Sequence, residues 1–543
     1  MPEPNATINR AFMQLVRRSD RLDRNRLVET FVDVGPLFTL LSSADHQIIF
    51  GRRGTGKTHA LNYLSDTRTR EGDVVVYVDL SNIGSSGGIY ADQQLPVTER
   101  ATRLLVDTLL SVHDALLEYF VTYAEEFDLS VSGPLLDDFG DAVSEVRVVG
   151  DTQVENSSTE VSSRNDTFRG SVGLSPAGPK MALDATTGSN QQHERGEVVS
   201  RTGAERHSVH FGSVRRIWDR MTRVISPRRV WLLLDEWSSV PIELQPFLAD
   251  LVRRSIFPVR NVVTKIAAIE QRSNFSVSAP QGNYLGIEVG ADAAADINLD
   301  DFMVFDNDAT RARAFYRSLL YKHVATTDIL EQSAVMLDSE TAFVRLAFTQ
   351  INTFDELVRA SEGVPRDAIN IVIQAAQYAA TEPITMPHIR RAAHAWYQRD
   401  KETAVHSNDG ATELLHWIIN EVISERRARA FLLRSDTKDA LFESLFDARV
   451  LHILKRNIST QDQPGIRYNV YKLDFGCYVD LMTTARAPVG LFQLDAISGP
   501  QSAQYIEVPP DDYRAIRRAI LHLDKFYEQR RDDQIAHSPG STT

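Results

Sequence analysis

The sequence predicts an α/β protein, with a parallel, layered sheet, then an all-helical part, then a C-terminal module of helices and a β-hairpin. Three observations carry this. A Gly-rich loop lies between a short apolar strand and an amphipathic helix near the N-terminus. Far downstream, an apolar run ends in two adjacent acids. From about Asp308 onward, apolar residues recur at helical spacing.

Composition sets the outer limits. The 543 residues, 43% hydrophobic and 24% charged, are enough for several domains and a substantial core. No run of about eighteen apolar residues occurs, which argues against a membrane span. The start, "MPEPNATINRAF", lacks the basic opening and apolar core of a secretory signal, so a cytoplasmic protein is expected. The single cysteine, Cys477, excludes an internal disulfide and a cysteine-built zinc site. A formal charge of −14 argues against a general nucleic-acid coat, because backbone binding relies on surplus Lys and Arg. It leaves room for one basic module on an acidic body.

The first strand is "HQIIF", and the loop after it, Gly51-Arg52-Arg53-Gly54-Thr55-Gly56-Lys57-Thr58, fits G-x-x-x-x-G-K-[ST] at every fixed position. Its glycines let backbone N–H groups close around a β-phosphate where a Cβ would intrude. Lys57 is expected to neutralise the β- and γ-phosphates of ATP, and the Thr58 hydroxyl to ligate Mg²⁺. Gly51 to His59 is thus the candidate nucleotide-binding segment. The helix after it is read from Ala60, Leu61 and Leu64.

A second strand is expected in "DVVVYVDLSN", and one long helix or two in Val97 to Phe127. The Ser/Thr/Gly/Asn-rich stretch that follows has few large apolar groups to offset its ordering entropy. It is read as a flexible insertion or an extended hairpin, about residues 129–210. "RRVWLLLDEWSS", Arg228 to Ser239, is a buried strand that brings carboxylates to the nucleotide edge of a parallel sheet. Asp235 is assigned to the metal's water shell and Glu236 to orienting or deprotonating the attacking water. "NVVTKIAAIEQRSNF" reads as the neighbouring strand, with Gln271 in its polar exit as a candidate γ-phosphate sensor. A further strand is expected in "YLGIEVG".

In the helical region, Gly363-Val364-Pro365-Arg366 opens a helix, and Arg366 would point back toward a nucleotide held between sheet and helices. Farther on, helices followed by two strands around Pro464 and Gly465 match a winged helix-turn-helix. Lys438 on the expected recognition helix, with Lys455, Arg456 and Arg467 near the wing, are candidate contacts to double-stranded DNA. The acids Asp436, Asp439, Glu443 and Asp447 favour protein contacts instead, so both readings stay open.

These segments, "GRRGTGKT", "LLLDEW", "GVPRDAI" and the run ending "YNVYKLDFG", together resemble the AAA+ ATPases, in particular the initiator-type origin-recognition ATPases. The resemblance implies an Mg²⁺-dependent ATPase with Arg366 as the second sensor of its lid and Gln271 as the first. It implies an N-terminal helical segment (1–45), a P-loop core (46–300), a helical lid (301–402), a winged-helix domain (403–530) and a disordered tail (531–543). Two features depart from the pattern: the long insertion, and an arginine finger for which only Arg253, Arg254 and Arg272 are candidates. The implied function is a nucleotide-dependent assembly switch, DNA-associated and homo-oligomeric. The alternative is a signalling or anti-phage ATPase that oligomerises and recruits a protein effector.

Overall fold

The computed structural model describes residues 4–18, 22–33, 35–83, 92, 94–143, 146–149, 152–155, 165–173, 180–188, 198–201, 204–207, 209–278, 284–302, 304, 308–333, 335–425, 430–459, 465–477, 479 and 520–537. Two units are present: residues 141–210, and the remainder of the chain.

The larger unit is built on five parallel strands: β1 (Gln47–Phe50), β2 (Val74–Asp79), β3 (Val230–Asp235), β4 (Val262–Ala268) and β5 (Ala294–Asn298). They lie in the order β5-β1-β4-β3-β2. Central β3 and β4 are buried at every position, as strands covered on both faces must be; β3 reads as an apolar run up to Asp235, whereas β4 also buries Thr264 and Lys265, whose Nζ donates to the carbonyls of Ser43 and Asp45. Edge strand β5, "AADIN", shows no such run, because much of it stays half-exposed. That is why the expectation fell on "YLGIEVG" instead. There, Tyr284–Gly286 forms a separate hairpin with Ser276–Ser278, outside the sheet. Gly286 sits at φ +116°, and a Cβ there would lie 2.0 Å from the Phe275 carbonyl oxygen.

The helices in chain order begin with α1 (Pro4–Met13), then α2 (Lys57–Arg70) after the phosphate loop and α3 (Val97–Thr122), a single helix of 26 residues. Next is α4 (Leu129–Val143), which buries Leu135, Leu136, Phe139 and Val143. The expected insertion therefore starts later than residue 129. Pro134 inside the helix and its Ser/Gly-rich start hid the helical pattern.

The unit at residues 141–210 is a nested antiparallel ladder. Val146–Val149 pairs with Ala204–His207, Thr152–Glu155 with Val198–Arg201, and Asn165–Gly173 with Lys180–Gly188. The polar composition is no bar to this, since ladder hydrogen bonds satisfy the backbone whatever the side chains.

The helical region includes α5 (Ala309–Ala325), α6 (Pro365–Ala379) and α7 (Met386–Trp396). Asp308 caps α5 by accepting from Arg311 N, and Pro365 opens α6 at a position where its missing N–H costs nothing. Its core is shared with α1: Ile8, Ala11, Phe12 and Leu15 pack among Phe343, Phe348, Leu357 and Ile371. Asn9 Nδ2 donates to the carbonyls of Ala380 and Glu382 at 3.0 and 2.8 Å. The N-terminal helix is thus part of the lid's core, not a segment apart.

In the C-terminal module, α8 (Asp409–Ile418) and α9 (Ala440–Asp447) pack on an antiparallel sheet of β6 (Ala430–Arg434), β7 (Leu451–Ser459) and β8 (Arg467–Leu473), ordered β6-β8-β7. This is a winged-helix sheet, with one helix between its first two strands. Lys438 precedes α9, whose N-cap is Asp439, so it is not on that helix. A last helix, α10 (Leu523–His537), occupies residues expected to begin a disordered tail; residues 538–543 lie outside the described residues. Among the described residues, no helix is long and apolar enough to cross a membrane.

Phe12, fully buried against Phe343 and Phe348, tests the lid's dependence on α1. Phe12→Ala is expected to cost about 3–5 kcal/mol, read as a lower urea midpoint. An unchanged midpoint would show that α1 contributes nothing to the lid's stability.

Candidate functional site

The phosphate loop leaves β1 and runs into α2. Gly54 and Gly56 adopt φ +90° and +97°, backbone that an L side chain rarely takes. A Cβ on Gly54 would also lie 2.8 Å from Arg366 Cβ, so the lid rests directly on the loop. The backbone makes the same contact, with Arg366 N donating to Gly54 O at 3.2 Å. Lys57 is buried, and its Nζ donates to the Gly51 and Arg52 carbonyls at 2.7 and 3.1 Å. Burial pushes its pKa down against the pull of Glu236, Asp235 and Asp300.

Register brings the acids to this loop. β2 and β3 pair Asp79 with Asp235 and Tyr77 with Leu233. The Tyr77 hydroxyl donates to Asp235 Oδ2 at 2.6 Å, and Glu236 N donates to Oδ1 at 2.8 Å. Burial and the adjacent carboxylate push the Tyr77 phenol far up, so it remains a donor that orients Asp235. Sequence reasoning missed this role; the tyrosine looked like one more β-former in an apolar run. Glu236 sits at φ +53°, an uncommon backbone for a residue with a side chain.

A cavity of about 540 Å³ joins these groups: Gly54, Gly56, Lys57 and Thr58 from the loop, Asp235 and Glu236 from β3. Arg53 and Arg366 also line it. Val16, Leu22, His59, Leu319, His323 and Ile369 line it as well. Burial pushes His59 down and His323 down to about 4, so both imidazoles are neutral near pH 7. Apolar side chains and neutral rings together with cations and a Gly-rich loop suit a base and its phosphates. Lys57 has three donors and two carbonyl partners, and Arg366 has no acidic partner among the described residues. Thr58 and Asp235 supply the hard oxygen ligands that Mg²⁺ takes.

Other expected residues lie elsewhere. Gln271 is in the turn Glu270–Arg272 and does not line this cavity. Of the finger candidates, Arg253 and Arg254 both bind Asp250 at 2.8 Å, and Arg272 pairs with Asp447 of α9. Arg456 is held by Glu270 at 2.8 Å and faces the sheet domain, whereas Lys438, Lys455 and Arg467 are exposed.

Arg52 departs most from expectation. Its side chain turns away from the cavity and is 3% exposed. Nε donates to Asp300 Oδ1 at 2.8 Å, and Nη1 donates to Leu451 O at 3.0 Å and His452 Nδ1 at 3.1 Å. Its guanidinium stacks 4.6 Å from the Phe446 ring centre. Because arginine only donates, His452 accepts at Nδ1 and donates from Nε2 to Asp474 Oδ2 at 3.0 Å. The phosphate loop is thereby fastened to the winged-helix domain. The only sequence sign was a long cation in a variable motif position.

Comparison with known proteins agrees with this geometry at one place. The chain has no match among curated proteins. Among solved structures, a Drosophila ORC bound to DNA is 10% identical, covering 85% of this chain and 91% of that one, with a TM-score of 0.30. The Aeropyrum pernix ORC1 protein in complex with DNA is 12% identical, covering 88% and 96%, also with a TM-score of 0.30. At these scores the likeness adds nothing to what the site itself carries. The ORC-CDC6-like family model matches residues 16–70, which run from Val16 in the cavity lining through the Gly-rich loop and α2, and over that stretch the chain resembles the ORC-CDC6-like ATPases.

Proposed function

We propose that this protein is an Mg²⁺-dependent ATPase of the AAA+ kind, in which the nucleotide state controls whether the winged-helix domain stays fastened to the core. The observation that carries the proposal is the convergence of Lys57, Thr58, Asp235, Glu236 and Arg366 on one cavity, with α6 bonded to Gly54.

The bound Mg²⁺–ATP complex would supply the charge and the bond to be cleaved; Thr58 and Asp235 are the residues to hold its metal. Lys57 lowers the cost of negative charge at the β- and γ-phosphates. Glu236, carried beyond the strand end, orients a water and accepts its proton. Arg366 offers its guanidinium to the γ-phosphate, and it sits at the first turn of α6. A ligand that pulls on Arg366 therefore pulls on a helix whose next residue, Asp367, is tied to the winged-helix domain through Lys401 and Arg449.

That fastening favours the version of the switch that opens to recruit a partner, another copy or a protein effector. A DNA-associated form of the switch draws on exposed Lys438, Lys455 and Arg467. Helix α9 offers little to a groove, since Phe442, Leu445 and Phe446 are buried and Asp447 is paired with Arg272.

Lys57→Ala is expected to weaken ATP binding, whereas Glu236→Gln keeps binding and slows hydrolysis by about a hundredfold or more, as loss of a general base does. Parental turnover in Glu236→Gln would remove it from that role. Arg366→Ala should weaken ATP binding by about tenfold or more and leave ADP near parental, because a charge-assisted contact to the γ-phosphate is lost only with ATP. Equal losses for both nucleotides would make Arg366 a lid-packing residue. For DNA, Lys455→Glu with Arg467→Glu should lower duplex affinity and flatten its salt dependence by about two units of log–log slope. Unchanged binding in a salt titration would leave the protein-effector form of the switch.

A further inference from the structure

Behind the nucleotide cavity lies a second one, of about 390 Å³, which shares Arg17, Arg18 and Arg366 with it and extends to Asn370, Trp396 and Arg399. Its volume falls in the range of small-molecule sites, roughly 300–1,000 Å³. Its lining is cationic. Arg449 and Asp400 also line it and form an ion pair with each other. Arg17, Arg18, Arg366 and Arg399 remain, none with an acidic partner among the described residues. Burial, then the charges of Arg449 and Arg18, push the Arg366 pKa down, the signature of cations gathered without enough anion.

A second observation concerns an unused donor. Trp396 is 9% exposed, and its indole Nε1–H has no hydrogen-bond partner among the described residues. A buried N–H left unmade costs about 1–3 kcal/mol, which an oxygen of a bound ligand would recover. Arg399 stands over the same ring, 5.5 Å from its centre.

We propose that this cavity is a second anion site, which takes a small molecule bearing clustered phosphate groups next to the nucleotide. Four guanidinium groups around one concavity match the fork geometry of phosphate oxygens, and a single phosphate would leave most of them unsatisfied. Because Arg366 lines both cavities, the second ligand and the nucleotide compete for or share its charge, so the site modulates the lid. Only this last coupling rests on the nucleotide reading; the cavity and its charge do not.

The test is calorimetric titration of inorganic tripolyphosphate into the full chain saturated with ADP, which keeps the phosphate loop occupied. Saturable binding is expected in the parent. Arg399→Glu, outside the nucleotide cavity, should weaken it by about tenfold or more with ADP affinity unchanged, and Trp396→Phe, which keeps a ring but loses the N–H, by severalfold. Absence of saturable binding in the parent, or equal affinity in parent and Arg399→Glu, would overturn the proposal. So would a short oligonucleotide that binds through Arg399 where tripolyphosphate does not. If ADP itself fails to bind, the nucleotide reading falls, and the same comparison without nucleotide decides the anion site.

Discussion

A single buried guanidinium, that of Arg52, holds the phosphate loop, the end of the sheet and the winged-helix domain in one arrangement. Every donor direction that matters is met: the Asp300 carboxylate at the sheet, the Leu451 carbonyl and His452 on the winged helix, with the Phe446 ring against its face. Removing one partner of such a pair leaves an uncompensated charge in a dry interior, at a cost of about 3–5 kcal/mol. The penalty falls on the open form only if the guanidinium stays dry. Were the winged helix to move off, water would reach Arg52 and take over its hydrogen bonds, which sets a polar fastening apart from an apolar seam.

From Arg52 the polar contacts continue without a break. His452 passes to Asp474, and Asp474 to Lys401 at 2.5 Å. Lys401 then meets Asp367 at 2.9 Å, one residue from Arg366. Lys472 adds a parallel tie to Glu362 at 2.5 Å, just before α6 begins. Burial works to raise Asp367, and Arg449 with Lys401 outweighs it, so the carboxylate stays charged where it is needed. His452 is the neutral member: burial, with Arg52 beside it, holds its pKa well below the ordinary value. The sign of this matters. A histidine kept neutral inside contributes stability above its unfolded pKa of about 6.5, and loses it as acid favours the protonated, open form. The fastening therefore weakens toward low pH, opposite to an ordinary surface histidine–carboxylate pair.

Outer contacts reinforce the same interface with weaker pairs. Arg272 with Asp447 and Arg456 with Glu270 join the exit of β4 to the winged helix, and both are partly exposed. Pairs of this sort contribute about 1 kcal/mol or less. They align the two surfaces; the buried chain sets the strength. This division explains why residues that look like free cations in the sequence, Arg456 and Arg272 among them, are spoken for in the folded molecule.

The sequence by itself determined the Gly-rich loop and the strands beside it. The spacing of Gly51, Gly54, Gly56, Lys57 and Thr58 is a local code, because a loop that wraps a phosphate must be built from consecutive residues. The apolar run of β3 and the apolar pairs that flank Thr264 and Lys265 in β4 announced buried strands for the same local reason, and the Pro365 helix start was legible beside Arg366. What lay beyond local reach was every feature set by pairing across the chain. The Tyr77 hydroxyl meets Asp235 only through the register of β2 on β3. The strand β5 is hidden by its edge position, and α1 joins a core whose other members lie some 300 residues downstream. Arg52 and Arg456 are cations in sequence, and only the folded chain decides that one is buried and the other paired. Composition counts charge without saying what faces it, and contacts between residues hundreds of positions apart leave no periodicity to read. Tertiary structure therefore decided how the winged helix is held, and with it which positive groups are left to meet a ligand.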